Sequence, residues 1–227
     1  MAYVFYDTET TGTATAYSQI LQIAAIKTDD QLNELESINI RCRLLPHIVP
    51  SPGALCVTGV TVQMLTDNSL PSHYEAIQQV RQKFAEWSPA CFVGYNSIQF
   101  DEDLLRQALF QTLHPAYLTN TNGNCRGDVM RMAHATSVYA PDAIVVPTDA
   151  KGKHTFRLEK LAPANGHKHD SAHDALGDVL ATIAMARQIR ERAPSVWEAM
   201  TLTAKKSTAI RIVQEEPVLA MTERYGP

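Results

Sequence analysis

Apolar residues run without a break from Tyr3 to Tyr6 and then give way to Asp7, Thr8, Glu9, Thr10 and Thr11. A continuous apolar run of strand length predicts a β-strand covered on both faces, with the acids at its carboxyl end. Residues 20–27 and 38–44 are again β-rich and are separated by a polar stretch holding Asp29 and Asp30, which predicts antiparallel neighbours joined by short turns. Residues 46–53 carry three prolines and read as a loop. Within residues 74–87, Ile77, Val80, Phe84 and Trp87 recur at the spacing of an amphipathic helix. Residues 91–95 form a further short buried strand. Residues 101–111 begin a helix with Leu104, Leu105 and Leu109 inward, and residues 128–139 are helical. Residues 141–155, rich in Pro, Asp, Lys and Gly, read as a flexible loop. The clearest element is a long helix from 172 to about 192, opened by a capping-box pattern of Ser171 and Asp174 and stopped by Ala193-Pro194. Three strands followed by helices alternating with a fourth strand give an α/β sandwich with a mixed sheet and a central, buried first strand. Residues 201–227 show no clear periodicity. Residues 1–200 are expected to form one domain, and 201–227 a tail leading towards a second domain that this chain lacks.

With 227 residues, 45% of them apolar, the chain can build one good core. A net charge of −4 excludes a protein that coats long nucleic acids through a broad basic face. It leaves open an enzyme that grips a strand end, where divalent ions offset acidic ligands locally. Cys42, Cys56, Cys91 and Cys125 show no CxxC or zinc-like spacing and read as reduced thiols. The first strand begins at once, leaving no room for a secretory signal, and no apolar run approaches the roughly 18 residues needed to span a bilayer. A soluble, cytoplasmic protein is expected.

The chemistry lies in three segments. Asp7 and Glu9 stand two apart on a strand, so both carboxylates point to one face and can share ions. Two exposed acids at a strand end are the plainer alternative. Asp101 opens a helix, where a carboxylate complements the positive end of the dipole. Capping alone would explain it, with Asp103 a second candidate cap and Glu102 facing solvent. His173 and Asp178 are five apart, roughly 140° in helical projection, so they suit different tasks rather than one ion. Asp178 would reach a metal and His173 a water, while Asp174 is assigned to capping with Ser171. Four carboxylates and one histidine on three segments meet the needs of a two-metal phosphodiesterase.

YDTETTG (6–12), GYNSIQFDEDLLR (94–106) and AHDALGDV (172–179) resemble, in order and in flanking residues, the three exonuclease motifs of the DEDD superfamily in its histidine-containing branch. With PGALCVTGVT (52–61) and FRLEKLAPANG (156–166), the chain is similar over about residues 3–200 to the catalytic domain of bacterial exonuclease I. This resemblance implies a ribonuclease H-like fold and 3′→5′ hydrolysis of single-stranded DNA to 5′-mononucleotides. It also implies two Mg²⁺ ions (Mn²⁺ substituting) on Asp7, Glu9, Asp101 and Asp178, with His173 as general base. Hard oxygen ligands suit those ions, and an imidazole takes a proton near neutral pH. By the same resemblance Arg157 contacts phosphate, Val57 and Thr58 pack on the terminal nucleotide, and Thr10 and Thr11 approach its sugar. Asn96 is structural or a sugar-phosphate contact. Lys151, Lys153, Arg157 and Lys160 form a basic strip that could carry the strand. Intact members of that family carry further domains that close over DNA, so processivity here would need those domains or a protein partner. An exoribonuclease and a proofreading subunit are the alternatives; the 2′-OH separates RNA from DNA.

Overall fold

In the computed structural model, which describes residues 1–168 and 174–218, five strands form one mixed sheet. The chain runs β1 (Ala2–Thr10), β2 (Ile20–Thr28), β3 (Glu34–Arg41), α1 (Pro52–Thr58), α2 (Val62–Leu65), α3 (His73–Trp87), β4 (Ala90–Gly94), α4 (Asp101–Gln111), β5 (Cys125–Asp128), α5 (Val129–Tyr139), α6 (Leu158–Ala164), α7 (Ala175–Arg192), α8 (Pro194–Thr203) and α9 (Lys206–Glu215). The strand order is β3-β2-β1-β4-β5. β2 runs antiparallel to both its neighbours, β1 and β3, whereas β4 and β5 run parallel to β1. The first strand is therefore central, as its apolar run requires.

The two faces of β1 belong to different helices. Tyr3 and Phe5 pack into a core with Val129, Leu161, Val179 and Ile183, from α5, α6 and α7. Val4 and Tyr6 pack on the opposite face with Ile77, Phe84, Leu104 and Leu105, from α3 and α4. Strand alternation thus sends odd positions of β1 towards α7 and even positions towards α4.

Several local expectations change. β5 was not legible: Cys-Arg-Gly-Asp is short and half polar, and only its pairing with β4, from Cys91↔Cys125 to Gly94↔Asp128, makes it a strand. Residues 46–53 are not loop throughout. Pro52 opens α1, where its missing N–H costs nothing, and Gly59 closes it in the left-handed region at φ 65°. β3 begins earlier than residue 38 because it is an edge strand whose first half, Glu34 to Ser37, is exposed on both faces and so tolerates Glu34 and Glu36. Pro194 does end α7, and it also starts α8, whose Trp197 ring lies 5.6 Å from that of Tyr3. The stretch after 201, read as lacking periodicity, contains α9, an amphipathic helix that buries no residue. Cys42, Cys91 and Cys125 are buried and Cys56 is exposed, all as free thiols. Among the described residues no helix is long and apolar enough to cross a membrane.

Candidate active site

β1 pairs with β2 as far as Thr10, but with β4 only from Ala2 to Phe5. The half of β1 that carries Asp7 and Glu9 therefore extends past the end of β4, and a crevice opens beside it at the carboxyl ends of the parallel strands. The chain leaves β4 sharply there. A Cβ at Gly94 would lie 2.4 Å from the Ser97 Cβ and 3.0 Å from the Tyr6 carbonyl oxygen, so glycine is required. Asn96 takes the left-handed conformation at φ 59°, and its N–H donates to Asp128 Oδ1 (3.0 Å). Asp128 also accepts from the N–H of Met130 (3.0 Å) at the start of α5. This turn delivers Asp101 to the first position of α4.

Asp7 and Glu9 point to the face that α7 covers, and carboxylate oxygens of Asp7, Glu9 and Asp178 lie within 4.8 Å of one another. A register shift at Glu9/Thr10 marks a bulge beside the acids, a common device for re-aiming a side chain. Asp101 approaches from the other face. It is buried, and its Oδ1 accepts from both the hydroxyl (2.6 Å) and the N–H (3.1 Å) of Thr8. That route explains why Asp101 stands beside the trio rather than inside it.

The electrostatics follow from burial first and from crowding second. Burial, then the charges of Asp101, Asp178, Glu9 and Asp174, hold the Asp7 carboxyl well above the usual carboxylate range. Burial, then Asp178, Asp101 and Asp174, push Glu9 up to about 7, against a downward pull from Arg41. Burial pushes Asp101 up to about 7 although the Thr8 hydrogen bonds favour its ionised form. Such a set of hard oxygen donors, mutually repelling when ionised, fits divalent cations.

Across the sheet a ladder runs from Glu9 to Gln22 to Arg41, each paired with the next. Asp174 closes it: its Oδ1 accepts from Gln22 Nε2 (2.9 Å) and Arg41 Nη2 (2.8 Å). Asp174 occupies the N-cap position of α7 but makes no side-chain cap hydrogen bond there. Its assignment to capping is therefore corrected; it ties α7 to β2 and β3. Ser171, its expected capping partner, lies outside the described residues, as does His173. Gln22 was the available signal, a buried polar residue interrupting the apolar run from Ile20 to Ile26. Glu102 is a second correction. It is 3% exposed, and it accepts from the Tyr6 hydroxyl (2.6 Å), the Thr119 hydroxyl (2.7 Å) and Arg126 Nη1 (3.2 Å). Asp103 pairs with Arg106 at 3.2 Å and does not cap.

Beside Glu9 lies an open cleft of about 970 Å³, lined in part by Thr10, Thr11, Val57 and Thr58. The threonine hydroxyls are engaged within the chain. Thr10 donates to the Gly12 carbonyl (2.7 Å), Thr11 accepts from the Gln19 N–H (2.8 Å) and Thr58 donates to the Ala54 carbonyl (2.9 Å). Asn96 and Arg157 do not line this cleft. Arg157, at the N-cap of α6, is 77% exposed and reaches Glu159 at 3.8 Å. The Tyr95 hydroxyl donates to the Phe156 carbonyl and anchors the segment before it. Lys151, Lys153 and Lys160 are also exposed. Tyr17, His47 and Phe100 line the cleft as well and were not anticipated, since no motif links them in sequence.

The family model described as Exonuclease matches residues 4–186. Exodeoxyribonuclease I of Haemophilus influenzae is 34% identical over 199 residues, 87% of this chain and 42% of that protein. Among solved structures, the moderately thermophilic exonuclease I of Methylocaldum szegediense superposes with a TM-score of 0.89 at 35% identity, covering 99% of this chain and 48% of the other. The zinc-bound complex of Escherichia coli exonuclease I with single-stranded DNA gives 0.85 at 30%, covering 93% and 45%. The chain spans about half the length of the curated relatives it matches. The mixed sheet with its central first strand is the ribonuclease H-like fold of these exonucleases.

Proposed function

This chain belongs to the exonuclease family, and from that premise we propose that it hydrolyses single-stranded DNA from the 3′ end, releasing 5′-mononucleotides with two divalent cations, Mg²⁺ or Mn²⁺. The carrying observation is the convergence of Asp7, Glu9 and Asp178 within 4.8 Å, with Asp101 held beside them by Thr8. When bound, the cations supply charge neutralisation at the scissile phosphate and acidify the attacking water. Asp7, Glu9 and Asp178 would hold them from one face of the sheet and Asp101 from the other. His173, five residues before Asp178, takes the proton of that water as general base.

The cleft beside Glu9 receives the strand end. With the hydroxyls of Thr10 and Thr11 committed internally, these residues shape its wall, and Val57 and Thr58 pack on the terminal nucleotide. The exposed guanidinium of Arg157 takes a phosphate, for which a planar bidentate donor is suited. Asn96 acts through its turn. The single-stranded DNA and zinc in the E. coli complex support both the substrate and the dependence on a divalent metal. With half the length of those relatives, this part carries the chemistry, and residues 201–227 lead towards domains or a partner that retain the strand. Free thiols suit a cytoplasmic location.

The test uses 5′-labelled single-stranded DNA and RNA of equal sequence, with Mg²⁺ or EDTA. A Mg²⁺-dependent ladder shortening from the 3′ end, stronger on DNA, is expected. A ladder on RNA alone would replace the substrate, and cleavage persisting in EDTA would overturn the metal assignment.

A further inference from the structure

The cleft beside Glu9 is lined by one acid and by no lysine or arginine among the described residues. Phosphate neutralisation, which usually dominates nucleic-acid affinity, is therefore weak at this wall. Its distinctive groups are apolar: Tyr17, Val49 and Val57 are 81%, 90% and 54% exposed, and all three line this one cleft. The backbone of Tyr17 is fixed in a turn. Its N–H donates to the Ala14 carbonyl (2.9 Å), and the next N–H, of Ser18, donates to the same oxygen (2.7 Å). That turn is tied to the end of β1 by Thr11 N–H to the Gln19 carbonyl (2.9 Å) and by Gln19 N–H to the Thr11 hydroxyl (2.8 Å). An aromatic ring open to solvent on a hydrogen-bonded turn, seven residues after the end of the strand that carries two of the clustered acids, is prepared for a flat partner.

We propose that Tyr17 is a stacking platform for one unpaired nucleobase of the strand lying in this cleft, a binding residue that selects single strands because a paired base has no free face to offer it. The inference rests on the nuclease reading above and deepens it. Stacking on one aromatic residue accounts for about 5- to 150-fold in affinity. The phenol oxygen has no part in stacking, so phenylalanine should serve as well as tyrosine.

The test compares wild type, Tyr17→Ala and Tyr17→Phe on 5′-labelled single strands carrying an abasic site at each of the first six positions from the 3′ end. Tyr17→Ala should raise KM on intact DNA about 5- to 150-fold with kcat little changed, and Tyr17→Phe should match wild type. One abasic position should cost wild type a similar factor and cost Tyr17→Ala nothing further, since the two changes remove the same contact. Penalties that multiply in full, or a Tyr17→Ala KM within twofold of wild type, would overturn the proposal. A second measurement does not depend on cleavage: 2-aminopurine at the same position should be quenched by wild type and Tyr17→Phe but not by Tyr17→Ala. Position-specific quenching without cleavage would keep Tyr17 and remove the nuclease reading. Cleavage without any Tyr17-dependent penalty would do the reverse.

Discussion

Asp101 and Glu102 are neighbours at the start of α4, and both are almost fully buried, at 4% and 3% exposure. Their surroundings are opposite in kind. Glu102 has two hydroxyl donors and the Arg126 guanidinium around its carboxylate. Asp101 has the hydroxyl and N–H of Thr8 at its Oδ1, with no arginine or lysine paired to it among the described residues, and burial pushes its carboxyl up to about 7 despite those hydrogen bonds. A buried acid that serves the fold is given donors by the chain. One that serves chemistry, as proposed for Asp101, would be left short of positive charge for cations to complete.

The largest test of this contrast is Asp7→Ala, which should reduce Mg²⁺-dependent cleavage to background in the 5′-label assay. The metal-free melting temperature should hold or rise, since one repelling charge is gone. His173→Ala should lower kcat by roughly 10²–10⁴, as for a lost general base; single-turnover rates would read it, and an unchanged rate would hand the proton to solvent. On the other side of α4, Glu102→Ala should cost about 3–5 kcal/mol of stability in urea, because Arg126 and two hydroxyls lose their acceptor. A similar loss in Asp101→Ala would erase the distinction between the two acids.

A smaller effect should appear with pH. Glu9 and Asp101 titrate near 7 when folded, from ordinary values of 4.5 and 3.8. Between those limits the folded chain holds more protons than the unfolded one. Metal-free stability should therefore fall as pH rises from about 4 to 7, the reverse of a salt-bridged carboxylate. Melting curves with EDTA at about pH 5 and pH 8 would show it, and Mg²⁺ should stabilise more at the higher pH. The smallest expected change is at Arg41–Asp174, whose partners are 39% and 35% exposed. Arg41→Gln should cost no more than about 1 kcal/mol. A rate loss well beyond that cost would show that the ladder from Glu9 to Asp174 also aims α7.

What the sequence determined was local. Period two places Asp7 and Glu9 on one face, the apolar run makes β1 central, and the spacing of Ile77, Val80, Phe84 and Trp87 makes α3, because each depends only on backbone geometry over a few residues. The resemblance across three motifs supplied the set of acids. Only the tertiary structure decided which acids touch what. Glu102 next to Asp101 is buried rather than solvent-facing because Tyr6, 96 residues away, lies on the α4 face of β1. Asp174 binds Arg41, 133 residues away, instead of capping its own helix. Tyr17 joins the cleft only because its turn is hydrogen-bonded to the end of β1. A carboxylate's role is set by the charges and donors around it, and those come from segments that pattern and spacing along the chain do not connect.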